Sequence, residues 1–492
     1  MTLPRRFAAA SLFWSLAIAA GLSLLARSLP AAENAAAQTR PNILFCMADD
    51  WSWPHAGAYG DTVVKTPVFD RLAREGVLFE NAFVTAPSCT PCRNAVLTGQ
   101  WHWRLEEGGN LWSTLHPKFP VYPLLLQEAG YFVGHWRKAW GPGDWRALGR
   151  KEDPAGPTFK DFPTFLKARP KDQPFCFWLG SSDPHRPYEW QSGVKSGIDI
   201  SGIQLPADLP DDELVRTDVA DYYFEVQRFD RDVAAALRLL ADASELDNTI
   251  VVMSGDNGMP FPRHKCQLYD SGTHAPLAVR WPAEVPGGRR VTDFISLSDL
   301  APTFLEAAGA AIPEQMTGRS FLNVLTSAKS GRVDPARDHV LTGRERHGQS
   351  QEKPNSGGYP MRAIRTDDFL YIRNFAPDRW PGGCPDVEKA FGGNAYGDCD
   401  GSPTKTFVLE HRDDPRFRRF YELAFAKRPG EELYDLRKDP DQLSNVAGQP
   451  EFKDAQQQLA KRLLDQLKAT QDPRVVGGGE AFDTYPYRRK VR

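Results

Sequence analysis

The chain has 492 residues, 41% hydrophobic and 25% charged, with a formal net charge of −3 and a negative mean hydropathy. Such a composition is globular, supplies enough chain for two domains and excludes a multi-span membrane protein. The mildly acidic balance speaks against nucleic acid as a partner, so any anionic ligand must be met by a local basic pocket.

At the N-terminus Arg5 and Arg6 precede the apolar run "FAAASLFWSLAIAAGLSLLA", and small residues follow in "LPAAENAAAQT". A basic start, an apolar middle and a small-residue site predict a secretory signal over residues 1–37. The mature chain is then secreted or periplasmic, with no stable membrane insertion after cleavage. An uncleaved anchor is the alternative, since the run is nearly long enough to span a bilayer.

"RPNILFCMADD" reads as a buried strand ending in carboxylates. "TPVFDRLAREGVLFENAFV" and "VYPLLLQEAGYFVGHW" each read as a helix followed by a strand. "QPFCFWLGSSDPHRPY" is another buried strand with a polar end. From 211 to 246, Val219, Tyr222, Val226, Phe229, Val233, Leu237 and Leu240 recur at helical spacing, and "NTIVVMSGDNG" follows as a strand. Strands alternating with helices predict an α/β fold, a mostly parallel sheet sandwiched by helices, with ligands at the carboxyl ends of the strands. Those ends carry Asp49 and Asp50, His185, and Asp256 and Asn257. After about residue 337 short strands sit among Gly, Pro and charged residues, and a last helix covers 451–469. The expected layout is a larger domain over 38–337 and a smaller C-terminal α+β domain over 338–492, joined near 326–338. "HRDDPRFRRF" is mixed in sign and reads as solvated surface.

Asp49, Asp50, Asp256 and Asn257 are hard oxygen donors, a set that suits Ca²⁺ or Mg²⁺ and not zinc. Each pair alone has an ordinary reading as a cap, a turn or a solvated loop. The seven cysteines are an odd number for an exported chain. Cys384 and Cys399 bracket "CPDVEKAFGGNAYGDC", which reads as a disulfide-closed loop. "SCTPCRNAVLTGQ" admits a disulfide partner, a metal site or a buried loop. Its Cys89 stands at the start of a helix, where free backbone N–H groups favour an anion, and Arg93 adds a fork of donors for tetrahedral oxygens. "GRERHGQ" offers Glu345, Arg346 and His347 as substrate-binding candidates or as a hinge loop.

Residues 89–99, Cys-Thr-Pro-Cys-Arg-Asn-Ala-Val-Leu-Thr-Gly, resemble the sulfatase signature, Cys-x-Pro-x-Arg followed by four residues and Thr-Gly. "NILFCMADD" and "SGDNG" look like that family's two metal pairs. "GYFVGHWRKAWGPG", "DPHRPY" and "HKCQLYDSGTHAPLAVRWP" look like the segments that supply Lys138, His185 and Lys265, and "ELYDLRKDPDQLSNVAG" like its C-terminal signature. The likeness runs from about residue 40 onward and is closest in layout to the N-sulfoglucosamine sulfohydrolase branch. It implies an alkaline-phosphatase-like fold and conversion of Cys89 to Cα-formylglycine by a formylglycine-generating enzyme. It also implies a divalent metal, Ca²⁺ with Mg²⁺ as the alternative, bordered by Asp49, Asp50, Cys89, Asp256 and Asn257. Cys89, Arg93, Lys138, His185 and Lys265 would be catalytic, and the substrate a sulfated carbohydrate such as a glycosaminoglycan or algal polysaccharide fragment. A phosphatase or phosphonate hydrolase of the same fold and a non-catalytic glycan-binding protein are the competing readings. The chain departs from the family at Trp140, where many members have histidine; nearby His135 reads as structural, with a substitute for that histidine, His135 or another group, as the alternative.

Overall fold

The computed structural model describes residues 40–489. The expected signal peptide lies outside the described residues. No helix among them is long and apolar enough to cross a membrane.

The strands of the large sheet are β1 (Asn42–Ala48), β2 (Val77–Phe83), β3 (Phe132–Trp136), β4 (Phe175–Gly180), β5 (Thr249–Gly255), β6 (Leu277–Arg280) and β7 (Arg289–Ser296). They lie in the order β3-β4-β1-β5-β6-β2-β7. All run in one direction except β6, which is antiparallel to both β5 and β2. All seven residues of β1 are buried. Side chains alternate across a strand, so Ile43, Phe45 and Met47 enter one core while Leu44, Cys46 and Ala48 enter the other.

Helices close both faces. α1 (Pro67–Glu75) joins the second core through Phe69 and Leu72. The helix Glu213–Asp242 lies on that same side and buries all seven of the expected periodic residues. It starts two residues inside the predicted span because Asp212 accepts a hydrogen bond from Leu214 N at 2.9 Å, capping it. On the other face sit α2 (Cys89–Thr98), α3 (Tyr122–Glu128) and the helix Leu300–Ala307, through Val96, Leu97, Leu126, Phe304 and Leu305.

β8 (His339–Arg344), β9 (Met361–Thr366), β10 (Phe369–Asn374) and β11 (Glu431–Asp435) form a separate antiparallel sheet. The last long helix, Lys453–Ala469, packs Leu459, Leu463 and Leu467 onto its Leu341, Ile364, Tyr371 and Leu433.

The disulfide expected between Cys384 and Cys399 is not formed, and every cysteine is a free thiol. The loop holds its shape by other means. Tyr396 N donates to Cys384 O at 2.8 Å, and Lys405 Nζ reaches the carbonyls of Ala395, Tyr396 and Cys399 at 3.1, 2.9 and 2.8 Å. The two sulfurs turn instead toward the carbonyl oxygens of Asp386 and Asp400.

Two glycines let loops cross directly over strand ends. A Cβ at Gly180, the last residue of β4, would run into the carbonyl oxygen of Lys138, and one at Gly255, the last of β5, into that of Trp51. Gly180→Ala is therefore expected to destabilise the protein by about 1–3 kcal/mol through backbone displacement, seen as a lower denaturation midpoint.

Candidate active site

The adjacent strands β3, β4, β1 and β5 end on one edge of the large sheet. β1 runs into Asp49 and Asp50, β5 into Asp256 and Asn257, β3 into the loop with Lys138, and β4 into the loop with His185. β2 leads to α2, whose first residue is Cys89 and whose fifth is Arg93. The Ser88 side chain does not cap this helix; its Oγ pairs with His347 Nδ1 at 2.8 Å. The first N–H groups of α2 are thus left for another acceptor, at the positive end of the helix dipole. Asp50 has φ 72, in the left-handed region that aspartate tolerates better than most residues. Such backbone strain persists where surrounding structure over-determines it.

The site is a tight alternation of acids and cations. Asp49 takes Lys138 Nζ at 2.5 Å, accepts from Cys89 Sγ at 3.4 Å and lies 3.7 Å from Arg93 Nη2. Arg93 donates through Nε to Asp256 Oδ2 at 2.8 Å and through Nη1 to the Lys138 carbonyl at 2.6 Å. Lys265 Nζ bridges Asp50 Oδ2 at 2.8 Å and Asp400 Oδ2 at 3.0 Å. His185 Nδ1 is 2.6 Å from Arg186 O, so it carries the hydrogen, and Nε2 turns toward Asp50 Oδ2 at 3.9 Å. Arg93, Asp50 and Asp256 are fully shielded from solvent, whereas the His185 side chain is 34% exposed at the opening.

Burial works against the Asp49 carboxylate, but Lys138, His185 and Arg93 outweigh it and hold its carboxyl well below the usual range. At Asp256 burial wins over Arg93, helped by Asp49 and Asp50, and lifts the carboxyl to about 6. Burial also opposes the Lys265 charge, yet Asp400 and Asp50 raise that ammonium well above its ordinary value. The Cys89 thiol is pushed up by burial first and by Asp49 second, so it stays protonated.

A sulfatase family model matches residues 41–310. The chain belongs to the sulfatase family. An ulvan-active sulfatase of Formosa agariphila is 28% identical over 452 residues, which cover 89% of this chain and 82% of the relative. The human N-sulphoglucosamine sulphohydrolase is 28% identical over 488 residues, covering 87% and 90%. A structure solved in complex with its substrate D-glucosamine-2-N,6-O-disulfate has a TM-score of 0.63 at 20% identity, covering 88% of this chain and 98% of that one. These likenesses bear out the family and the mostly parallel α/β architecture read from the motifs, and they make the chain a hydrolase of sulfuric ester or N-sulfate bonds.

Within this sulfatase the oxygen donors fit a hard divalent cation. Asn257 Nδ2 donates to Asp50 Oδ1 and Asp256 Oδ1 at 2.7 and 2.6 Å and leaves Oδ1 buried with no hydrogen-bond partner; with the amide reversed, Oδ1 faces those same carboxylates. Buried polar atoms rarely go unpaired, and an orphaned amide oxygen beside three carboxylates is a donor set for Ca²⁺ or Mg²⁺.

Trp140 fills space. Its Nε1 donates to Asn94 Oδ1 at 2.8 Å and its ring packs on the core beside α2. His135 has Nδ1 at 3.0 Å from Gly156 O and Nε2 at 3.1 Å from Thr158 Oγ1, a structural role. The three substrate-binding candidates part company. His347 borders the site through Ser88. Arg346 is buried, with Nη2 on the Pro486 carbonyl at 3.2 Å and its guanidinium 5.6 Å from the centre of the Tyr487 ring. Glu345 does not face the opening: its fully buried carboxylate holds Arg362 and Arg474, each at 2.7 Å. Asp400 was missed by sequence reasoning, since one acid after Cys399 in "GDCDGS" carries no spacing that ties it to Lys265.

Replacing Glu345 by Gln removes the charge that balances two guanidinium groups. The expected outcome is a stability loss of about 3 kcal/mol in denaturant melts with KM unchanged; a raised KM at unchanged stability would return Glu345 to the substrate.

Proposed function

We propose that this chain is an exported sulfatase that removes sulfate, as ester or N-sulfate, from sulfated carbohydrate. The observation that carries the reading is Cys89 at the open N-terminus of α2, 3.4 Å from Asp49 and ringed by Arg93, Lys138 and Lys265. The ulvan-active and N-sulphoglucosamine-acting relatives support a carbohydrate substrate. The basic and apolar N-terminal run supports export.

As encoded, Cys89 is a neutral buried thiol and a weak nucleophile. Conversion to Cα-formylglycine, by a formylglycine-generating enzyme, supplies as its hydrate one hydroxyl to attack sulfur and a second to release sulfate. A divalent cation, Ca²⁺ or Mg²⁺, among Asp49, Asp50, Asp256 and Asn257 supplies positive charge beside residue 89. Arg93, Lys138 and Lys265 hold the sulfuryl oxygens and stabilise the charge that develops on them. His185, with Nδ1 fixed by Arg186 O and Nε2 at the opening, protonates the departing oxygen or nitrogen. The loop around Trp140 contributes packing and no proton.

Purified protein, with the residue-89 peptide checked by mass for conversion, is expected to release sulfate from one class among N-sulfated glucosamine, O-sulfated glycosaminoglycan fragments and sulfated algal oligosaccharides. Cys89→Ala should abolish release and keep the native melting profile; full activity in that variant rejects the reading. Exhaustive chelation should likewise abolish release, and added Ca²⁺ or Mg²⁺ should restore it.

A further inference from the structure

One acid at the opening has no part in the scheme above. Asp400 follows Cys399 in the loop between β10 and the helix Pro403–Glu410, so it comes from the C-terminal part of the chain. Its Oδ2 accepts from Lys265 Nζ at 3.0 Å. Ligand atoms of Asp400, Asp50 and His185 all lie within 4.8 Å of one another. The side chains of Asp400 and His185 are 26% and 34% exposed, while those of Lys265 and Asp50 are 4% and 0% exposed. Lys265 and Asp50 thus form the floor, and Asp400 stands at the rim with His185, the residue proposed above to meet the leaving group. Paired at 3.0 Å with the Lys265 ammonium and open to solvent at the rim, Asp400 is a carboxylate anion.

An anion bonded to the ammonium that grips a sulfate weakens the grip on that sulfate. A contact between the carboxylate and the substrate would offset that cost. Of its two oxygens one is taken by Lys265, and among the described residues no hydrogen bond reaches Oδ1. One hydrogen bond away from the sulfate-binding ammonium, the first part of a sugar it can meet is the substituent on the ring carbon beside the sulfated one. Hydroxyl and amine groups donate to a carboxylate; a second sulfate there would face it charge to charge.

We propose that Asp400 is a specificity-determining residue, whose carboxylate accepts a hydrogen bond from a hydroxyl or amine beside the sulfated position and excludes sugars that carry a second sulfate there. The proposal rests on the sulfated-carbohydrate reading above and adds to it a rule about the neighbouring substituent.

The test uses formylglycine-converted enzyme and its Asp400→Asn variant, which keeps an oxygen for Lys265 and removes the charge. Sulfate release is compared on glucosamine 2-N-sulfate and glucosamine 2-N,3-O-disulfate, and on the equivalent mono- and vicinal disulfated pair of whichever sugar the substrate panel identifies. Binding of inorganic sulfate is measured by calorimetry. The wild type should favour the monosulfated member by about tenfold or more in kcat/KM, and Asp400→Asn should remove most of that preference. The variant should also bind inorganic sulfate about tenfold more tightly, because Lys265 is no longer shared with an anion. An unchanged preference overturns the assignment. So does weaker sulfate binding in the variant, which would make Asp400 a positioning residue for Lys265. If converted wild type releases sulfate from no carbohydrate, the underlying reading fails; release with an unchanged preference rejects the Asp400 rule alone.

Discussion

A carboxylate taken out of water costs several kcal/mol unless cations and hydrogen-bond donors replace the lost solvent, and Asp49, Asp50 and Asp256 have almost no contact with solvent. Much of the site answers that constraint. Arg93 and Lys138 approach Asp49, Arg93 pairs with Asp256, and Lys265 pairs with Asp50. Even so Asp256 remains poorly compensated, its carboxyl lifted to about 6 by burial against the pull of Arg93. Three cations thus face three carboxylates, yet the buried Asn257 Oδ1 still lacks a partner. The groups that cost most to bury are those that the proposed chemistry uses.

Backbone geometry brings the charges close enough to interact. Parallel strands deliver their ends to one edge, and the loops beyond must double back at close range. Gly180 lets the Lys138 loop lie on the end of β4, and Gly255 lets the Trp51 loop lie on the end of β5. The left-handed turn at Asp50 completes the fit: its N–H donates to Asp256 Oδ1 at 2.9 Å while its carboxylate meets Lys265. The C-terminal part of the chain closes the arrangement by contributing Asp400 and His347.

The sequence made some of this legible and hid the rest for physical reasons. Apolar runs ending in acids marked β1 and β5, because a buried strand must be apolar and its end is where polar groups can stand. The helical repeat from Val219 to Leu240 marked a helix that covers a whole sheet face. The bridge expected between Cys384 and Cys399 is not formed, because cysteine spacing says nothing of where each sulfur points, and here each turns toward a neighbouring carbonyl. Glu345 was ambiguous because a polar run after a strand looks the same whether its charges meet ligand or arginines distant in sequence; here its carboxylate pairs with Arg362 and Arg474. Asp400 could not be found at all, since its partner Lys265 is 135 positions away.

All ten residues of α2 are buried, Cys89 among them. Once that helix has docked between the sheet and its neighbours, no modifying enzyme can draw the Cys89 peptide into its own cleft without first undoing the core. If residue 89 is matured as proposed, that step is a race against folding. Whatever slows collapse of the chain lengthens the interval in which the thiol can be reached. Two preparations of identical sequence, equally folded and equally pure, can then differ in the fraction of molecules able to turn over, with the difference fixed at the moment of synthesis and beyond repair afterwards.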